Sequence, residues 1–231
     1  MFRRIWQWIK KIVTPKPPPK PPVAIDPADH ADPIDRISGE FVDISHHKTI
    51  DWNKFNYNDC MMKATEHTSH VDSKFKEFLK ECKARGIRVG FYHYYRVQYD
   101  PIEQAEHFIN TVGLGDFRDA YHLPVIDLEA IGNGSNNDII RAIPDVVEFA
   151  KHVTARTGRK CRIYSGDYLM GLLSSEFRSN GMHYICAEPW IARYPSTPRN
   201  YAPWKKAWSH QYSESGKVKW SNDDIDMNRF M

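Results

Sequence analysis

Two carboxylates two residues apart at the end of an apolar run are the residues best placed to do chemistry. The run is Pro124-Val125-Ile126-Asp127-Leu128-Glu129. A strand buried on both faces is normally continuous Val, Ile and Leu. Residues i and i+2 of a strand share a face, so Asp127 and Glu129 should point the same way. Asp43 follows Phe41-Val42, and Asp226 sits in Ile225-Asp226-Met227, again acids in apolar surroundings. Any one of them alone reads as an exposed strand-end acid. Four together read differently, because clustered buried carboxylates cost stability and push each other's pKa upward. A carboxyl kept protonated beside one kept ionised is the equipment for general acid catalysis.

The elements that must position these acids alternate strand and helix from Gly39 onward. Residues 39–45, 60–65, 87–96, 123–130 and 160–165 read as five apolar strands. Between them, Phe75, Phe78, Leu79 and Cys82 fall on one helical face, with Gly86 as a stop signal. Asp100-Pro101 opens a further helix as cap and first residue. A helical stretch runs to Gly158, broken or restarted at Pro144, and DYLMGLL (167–173) reads as a short helix. HYICAEPWIARY, KAWSHQYS and DDIDMNRF read as three closing strands with little helix between them. Repeated βα units imply a parallel sheet covered by helices. The expected architecture is α/β, an irregular (β/α)5β3 TIM-like barrel with its site at the C-terminal strand ends. In a closed barrel the first and last strands are neighbours. Asp43 and Asp226 should then face Asp127 and Glu129 across one pocket.

Charge is distributed unevenly. The net charge of +3 conceals a leader, residues 1–22, that carries Arg3, Arg4, Lys10, Lys11, Lys16 and Lys20 and no acid. Residues 23–38 are acidic, and residues 39–231 are neutral overall. A neutral body lacks the basic face that nucleic-acid binding requires. Residues 1–13 place Phe2, Ile5, Trp6, Ile9, Ile12 and Val13 at helical spacing opposite four basic residues, which suits the surface of an anionic membrane. The uncharged run Ile5 to Ile9 is far short of the ~20 residues of a bilayer span and of the ~7–15 of a signal-peptide core. Residues 14–38 hold eight of the fifteen prolines and read as an extended spacer. The expected domains are therefore a basic segment (1–13), a proline-rich linker (14–38) and a barrel (39–231).

Over residues 39–230 the sequence resembles the glycoside hydrolase family 25 lysozymes, of the Chalaropsis and phage-endolysin type. The resemblance is carried by Val42-Asp43-Ile44-Ser45, Ile50-Asp51-Trp52, Lys63-Ala64-Thr65-Glu66, Val71-Asp72 and Tyr92-His93-Tyr94. It continues through Val125-Ile126-Asp127-Leu128-Glu129, Ile163-Tyr164-Ser165, Trp190-Ile191-Ala192, Gln211-Tyr212-Ser213 and Asp226-Met227-Asn228. It implies hydrolysis of the β-1,4 bond between N-acetylmuramic acid and N-acetylglucosamine in peptidoglycan. In that family's terms Glu129 matches the general acid/base. Asp127 matches its partner, either the nucleophile or the group that steadies an attacking substrate acetamide. Asp43 and Asp226 match the acids of the pocket floor. Tyr94 and Trp190 match the cleft aromatics, and Tyr92, Tyr164 and Gln211 complete the expected substrate contacts.

The resemblance calls for no cofactor and no metal. The eleven histidines lack a ligand pattern, and Cys60, Cys82, Cys161 and Cys186 lack zinc or dithiol spacing. A monomer acting at the bacterial cell wall, phage-encoded or released by a holin, fits the missing signal peptide. The rival is a catalytically silent wall-binding or virion structural module on the same barrel. A glycosidase acting on chitin or another N-acetylated glycan is a second rival. Four segments depart from the family pattern: His46-His47-Lys48-Thr49, which is one residue short, His67 in place of a glycine, His210 in place of a tryptophan, and Trp220-Ser221-Asn222-Asp223-Asp224 in place of a glycine-rich turn. They bear on subsite shape and spare every carboxylate.

Overall fold

The computed structural model describes residues 39–194 and 196–231. The expected basic segment and proline-rich linker, with their membrane role, lie outside the described residues.

Nine strands form one sheet: β1 (Glu40–Ile44), β2 (Asp59–Glu66), β3 (His70–Val71), β4 (Arg88–Tyr94), β5 (Val125–Asp127), β6 (Arg162–Gly166), β7 (Trp190–Ala192), β8 (Ser209–Val218) and β9 (Ser221–Phe230). All but β3 belong to a closed barrel, because β1 pairs with β2 in parallel and with β9 in antiparallel fashion. The pairs from β2 through β8 are parallel, apart from the short β2–β3 hairpin, and β8–β9 is antiparallel. This is the irregular barrel expected from the sequence.

Alternation along the strands separates two cores. Phe41, Met61, Tyr92, Val125 and Trp190 fill the barrel interior. Their neighbours Val42, Cys60, Met62, Phe91 and Ile126 face outward under the helices. Gly90 leaves space for the inner layer, since a Cβ there would overlap the Met61 sulfur. Moving up each strand by two residues takes Phe41 to Asp43, Met61 to Lys63, Tyr92 to Tyr94 and Val125 to Asp127. The period-2 face that is apolar in mid-barrel thus becomes polar at the C-terminal end. At the opposite end the fully buried Asp59 is tied to His122 Nε2 at 2.8 Å and to Arg88 at 2.6 Å.

The helices are α1 (Phe75–Ala84), α2 (Pro101–Val112), α3 (Leu114–Asp119), α4 (Asn136–Arg141), α5 (Ile143–Thr157), α6 (Asp167–Ser179) and α7 (Met182–Ile185). Asp100 caps α2 through the amides of Ile102 and Glu103, with Pro101 in its first turn. The stretch ending at Gly158 is indeed two helices, broken at Ala142 just before Pro144.

Several expected boundaries are corrected. The strand expected over 123–130 shortens to Val125–Asp127, because Leu128 and Glu129 peel away toward the top of the barrel. The short helix at 167–173 extends to Ser179, since Leu173 and Phe177 continue its buried face. In HYICAEPWIARY only Trp190–Ala192 is strand, and His183–Ile185 belongs to α7. The connection between β1 and β2 carries turns but no helix among the described residues, so the first βα unit lacks its helix. The β2–β3 hairpin had no counterpart in the sequence reading. Its two-residue strand is too short to show a period.

Candidate active site

The C-terminal ends of the barrel strands surround a cavity of about 190 Å³ lined by Asp43, Tyr92, Glu129, Tyr164, Trp190, Tyr194, Gln211, Glu214 and Asp226. Seven of the nine side chains expected from sequence are among these. Asp127 and Tyr94 are the two that do not line it.

Asp43 and Asp226 are direct register partners across the β1–β9 seam. Asp43 is held at Oδ2 by Asn228 Nδ2 at 2.7 Å and by Gln211 Nε2 at 3.0 Å. Burial, and then the facing Asp226, push the Asp43 carboxyl well above its ordinary range, against those two hydrogen bonds. Burial raises Asp226 as well, restrained by Lys48, whose Nζ lies 3.5 Å from its Oδ2.

Asp127 sits behind Glu129 and is 6% exposed. The two carboxyls share a hydrogen bond. Burial raises both pKa values; the Glu129 charge and hydrogen bond raise Asp127 further, the same hydrogen bond holds Glu129 down against the push of Asp226, and Lys63 restrains both. Like charges so close do not both ionise readily, so ionisation of one disfavours ionisation of the other. Among the described residues Asp127 Oδ1 is buried with no hydrogen-bond partner, an acceptor left open.

Backbone and side-chain bonds fix the segment that carries Glu129. Leu128 N donates to Tyr164 O at 3.0 Å, and Ser165 Oγ donates to Leu128 O at 2.7 Å. The buried Asn133 donates to Glu129 O at 2.7 Å and to Tyr95 O at 2.9 Å. Glu129 is thus positioned by β6 and by the loop after β5, although it has left the strand.

The aromatic side chains divide by exposure. Trp190 is 2% exposed, with Nε1 donating to Asn228 Oδ1 at 2.8 Å and its ring edge-on to Tyr164, so it forms the floor. Tyr92 is buried beside it. Tyr164 donates to Gln211 Oε1 at 2.7 Å. Tyr94 stands to one side, donating to Ile131 O at 3.0 Å, its ring flanked by Lys63 and Arg96. Tyr194, 41% exposed, is the most open ring of the cavity and also donates to Gln211 Oε1.

Sequence reasoning had not selected Tyr194, Glu214, Lys63 or Asn228 as site residues. Asn228 and Lys63 were legible, since each lies within a motif, Asn228 on the same strand face as Asp226 and Lys63 in register with Tyr92. Tyr194 comes from an irregular segment after β7, and Glu214 from the bulged part of β8, where no period marks them.

Comparisons with known proteins identify the family and the fold. The family model described as glycosyl hydrolases family 25 matches residues 42–220. An autolytic lysozyme of Clostridium acetobutylicum is 30% identical over 175 residues; the match covers 73% of this chain and 47% of that protein. The chain thus spans about half the length of that relative. Lysozyme M1 of Streptomyces globisporus is 28% identical over 214 residues, covering 86% of this chain and 69% of that protein. The crystal structure of a bacterial lysozyme from Streptomyces coelicolor superposes with a TM-score of 0.70 at 27% identity, covering 83% of this chain and 91% of that one. The chain described here belongs to glycosyl hydrolase family 25.

Proposed function

We propose that the protein is an N-acetylmuramidase that cleaves the β-1,4 bond between N-acetylmuramic acid and N-acetylglucosamine in peptidoglycan. The observation that carries the reading is the grouping of Glu129, Asp43 and Asp226 around one cavity at the barrel mouth, with Asp127 buried beside Glu129. Of the pair, Glu129 lines the cavity and is the group that can reach a glycosidic oxygen. It donates its proton as the C1–O bond breaks, and the leaving sugar departs as an alcohol. It then recovers a proton from the water that attacks C1.

Asp127 is recessed behind Glu129 with one open oxygen. That placement favours holding the N–H of the substrate acetamide, so that the acetamide oxygen attacks C1, over direct attack by Asp127 itself. Two such displacements retain the anomeric configuration. The charge developing at C1 is met by the ionised carboxyl cluster. A silent wall-binding or virion structural module would have no use for four carboxyls that raise one another's pKa.

Glu129→Gln tests the reading. General acid catalysis is worth ~10²–10⁴-fold, so the variant should lose clearing of purified cell walls by that margin. Retention of more than half the rate would overturn the assignment.

Action at the cell wall, as a monomer released by a phage holin or from a bacterial cell, belongs to the same reading. Residues 1–22 are proposed to add attraction to an anionic membrane, through six basic residues with Trp6 and Trp8 among them.

A further inference from the structure

Two of the segments that depart from the family pattern meet in space. The rings of His46 and His47, after β1, lie 3.8 Å apart between centroids. His46 is 6.1 Å from His70 of β3, His70 is 6.1 Å from His67, and His67 stacks on Tyr99. A fifth imidazole, His107, bonds through Nε2 to His70 O at 2.9 Å. The row begins at the cavity, because Lys48, next in sequence to His47, reaches Asp226. It runs outward over the tops of β1, β2 and β3. The catalytic reading uses none of these rings, and among the described residues no group of three His, Cys, Asp or Glu side chains is arranged to hold a metal ion.

The charges around the row are largely settled internally. His47 faces His46, Lys48, Lys63 and Asp72, and His67 faces Glu66, Arg96, His70 and His107. Asp72, its side chain fully buried, accepts from His46 N at 2.9 Å and lies 2.7 Å from His46 Nδ1. Glu66 is bonded to Lys63 at 2.7 Å and to Arg96 Nε at 2.8 Å. Against the upward push of burial, those two cations hold the Glu66 carboxyl down at about 2. Asp72 is therefore the partner of His46, and Glu66 is committed to Lys63 and Arg96. His47 and His67 gain positive charge as the pH falls. The cavity lining also includes Glu214 of β8, whose charge raises Asp226.

A muramic acid residue carries its peptide on the sugar itself. A sugar seated over Glu129 must lay that peptide across one rim of the cavity. The histidine row, with Lys48, Lys63 and Arg96 beside it, offers positive charge to anions laid over the tops of β1 to β3. We propose that His46, His47, His67 and His70 form a pH-gated subsite for the carboxylates of the peptide attached to the glycan strand. The proposal rests on the muramidase reading and names a specificity element within it. Burial, and then neighbouring cations, hold His47 below the ordinary imidazole range, and burial does the same for His67. Binding of a carboxylate opposes both effects, so peptide binding and proton uptake are coupled.

The test compares two substrates, intact purified peptidoglycan and the same glycan freed of its peptides by an amidase. Wild type and the double variant H47Q/H67N are assayed at about pH 5 and about pH 8, the limits of imidazole titration. The readout is the ratio of the two rates, which cancels both the pH dependence of the bond cleavage and any loss of folded protein. Asn is chosen at position 67 because His67 has a φ of 40°, a region Asn tolerates. The expected result is a wild-type ratio that rises several-fold in favour of peptide-bearing glycan at the acid pH, through a lower KM, and a variant ratio that stays flat. An equal rise in the variant, or a wild-type ratio independent of pH, overturns the subsite alone. Cleavage of neither substrate by wild type overturns the muramidase reading and the subsite with it.

Discussion

Asp43 and Asp226 stand opposite one another across the seam that closes the barrel, and Asn228, two residues beyond Asp226, holds Asp43 with the same amide group that accepts the indole N–H of Trp190. One side chain thus ties the acid at the barrel seam to the tryptophan of the cavity floor.

Asn228→Ala removes both bonds in a fully buried position. A buried group left unsatisfied costs about 1–3 kcal/mol, and each kcal/mol lowers Tm by ~2–4 °C in a chain of this size. Hydrolysis should fall by more than the lost stability explains, by ~10-fold or more, because small misplacements of reacting groups are costly. Thermal unfolding and wall-clearing rates on the same preparation check it. A full rate at a lowered Tm would make Asn228 a structural residue only.

The pH profile should be bell-shaped. Activity requires one proton on the Asp127–Glu129 pair, so it declines on the acid side when both are protonated and on the alkaline side when both are ionised. Since burial raises both, the optimum lies above the ordinary carboxylate range of ~4. Lys63 pulls both values down. Lys63→Met should therefore shift both limbs to higher pH, by roughly half a unit to one unit. A profile with unmoved limbs would separate Lys63 from the pair.

The same raised values predict a stability cost. A carboxyl whose pKa is higher folded than unfolded stabilises the fold while protonated, and that contribution is lost as pH rises from the unfolded value of ~4.3 through the folded one. Glu129→Gln relieves the burial of a charge and its repulsion by Asp226 at neutral pH. It should be more stable than wild type at about pH 7, by about 1 kcal/mol, with the advantage fading toward about pH 4 as wild type takes up its proton. Calorimetry across that range checks the sign. A variant less stable at neutral pH would contradict the account of the cluster.

Much of this was legible in the sequence because the period-2 signal and the acid positions coincide. Phe41 with Asp43, and Val125 with Asp127, announce an inward face that turns polar at the strand end. The antiparallel return of β9 beside β1 follows from barrel closure. What escaped was set by tertiary contacts rather than by local period. Glu129 leaves its strand and is fixed by Asn133 and by β6. Tyr194 and Glu214 arrive on irregular chain. The recess of Asp127 behind Glu129 depends on where the strand stops, and an apolar run does not encode that point. Trp190, expected as a cleft aromatic, lines the cavity from its buried floor, and Tyr194 is the exposed ring.

Deleting residues 1–38 should leave hydrolysis of purified peptidoglycan unchanged and reduce flotation with anionic vesicles at low salt. Each Lys or Arg near such a surface adds about 1 kcal/mol, and salt screens it. Equal flotation of full-length and truncated protein would remove the membrane role and leave the barrel's chemistry untouched.

The central claim is the identity of the bond cleaved, and mass spectrometry of the products released from purified peptidoglycan reads it directly. The account predicts fragments ending in reducing N-acetylmuramic acid. Fragments ending in reducing N-acetylglucosamine, or no soluble fragments at any pH, would contradict it.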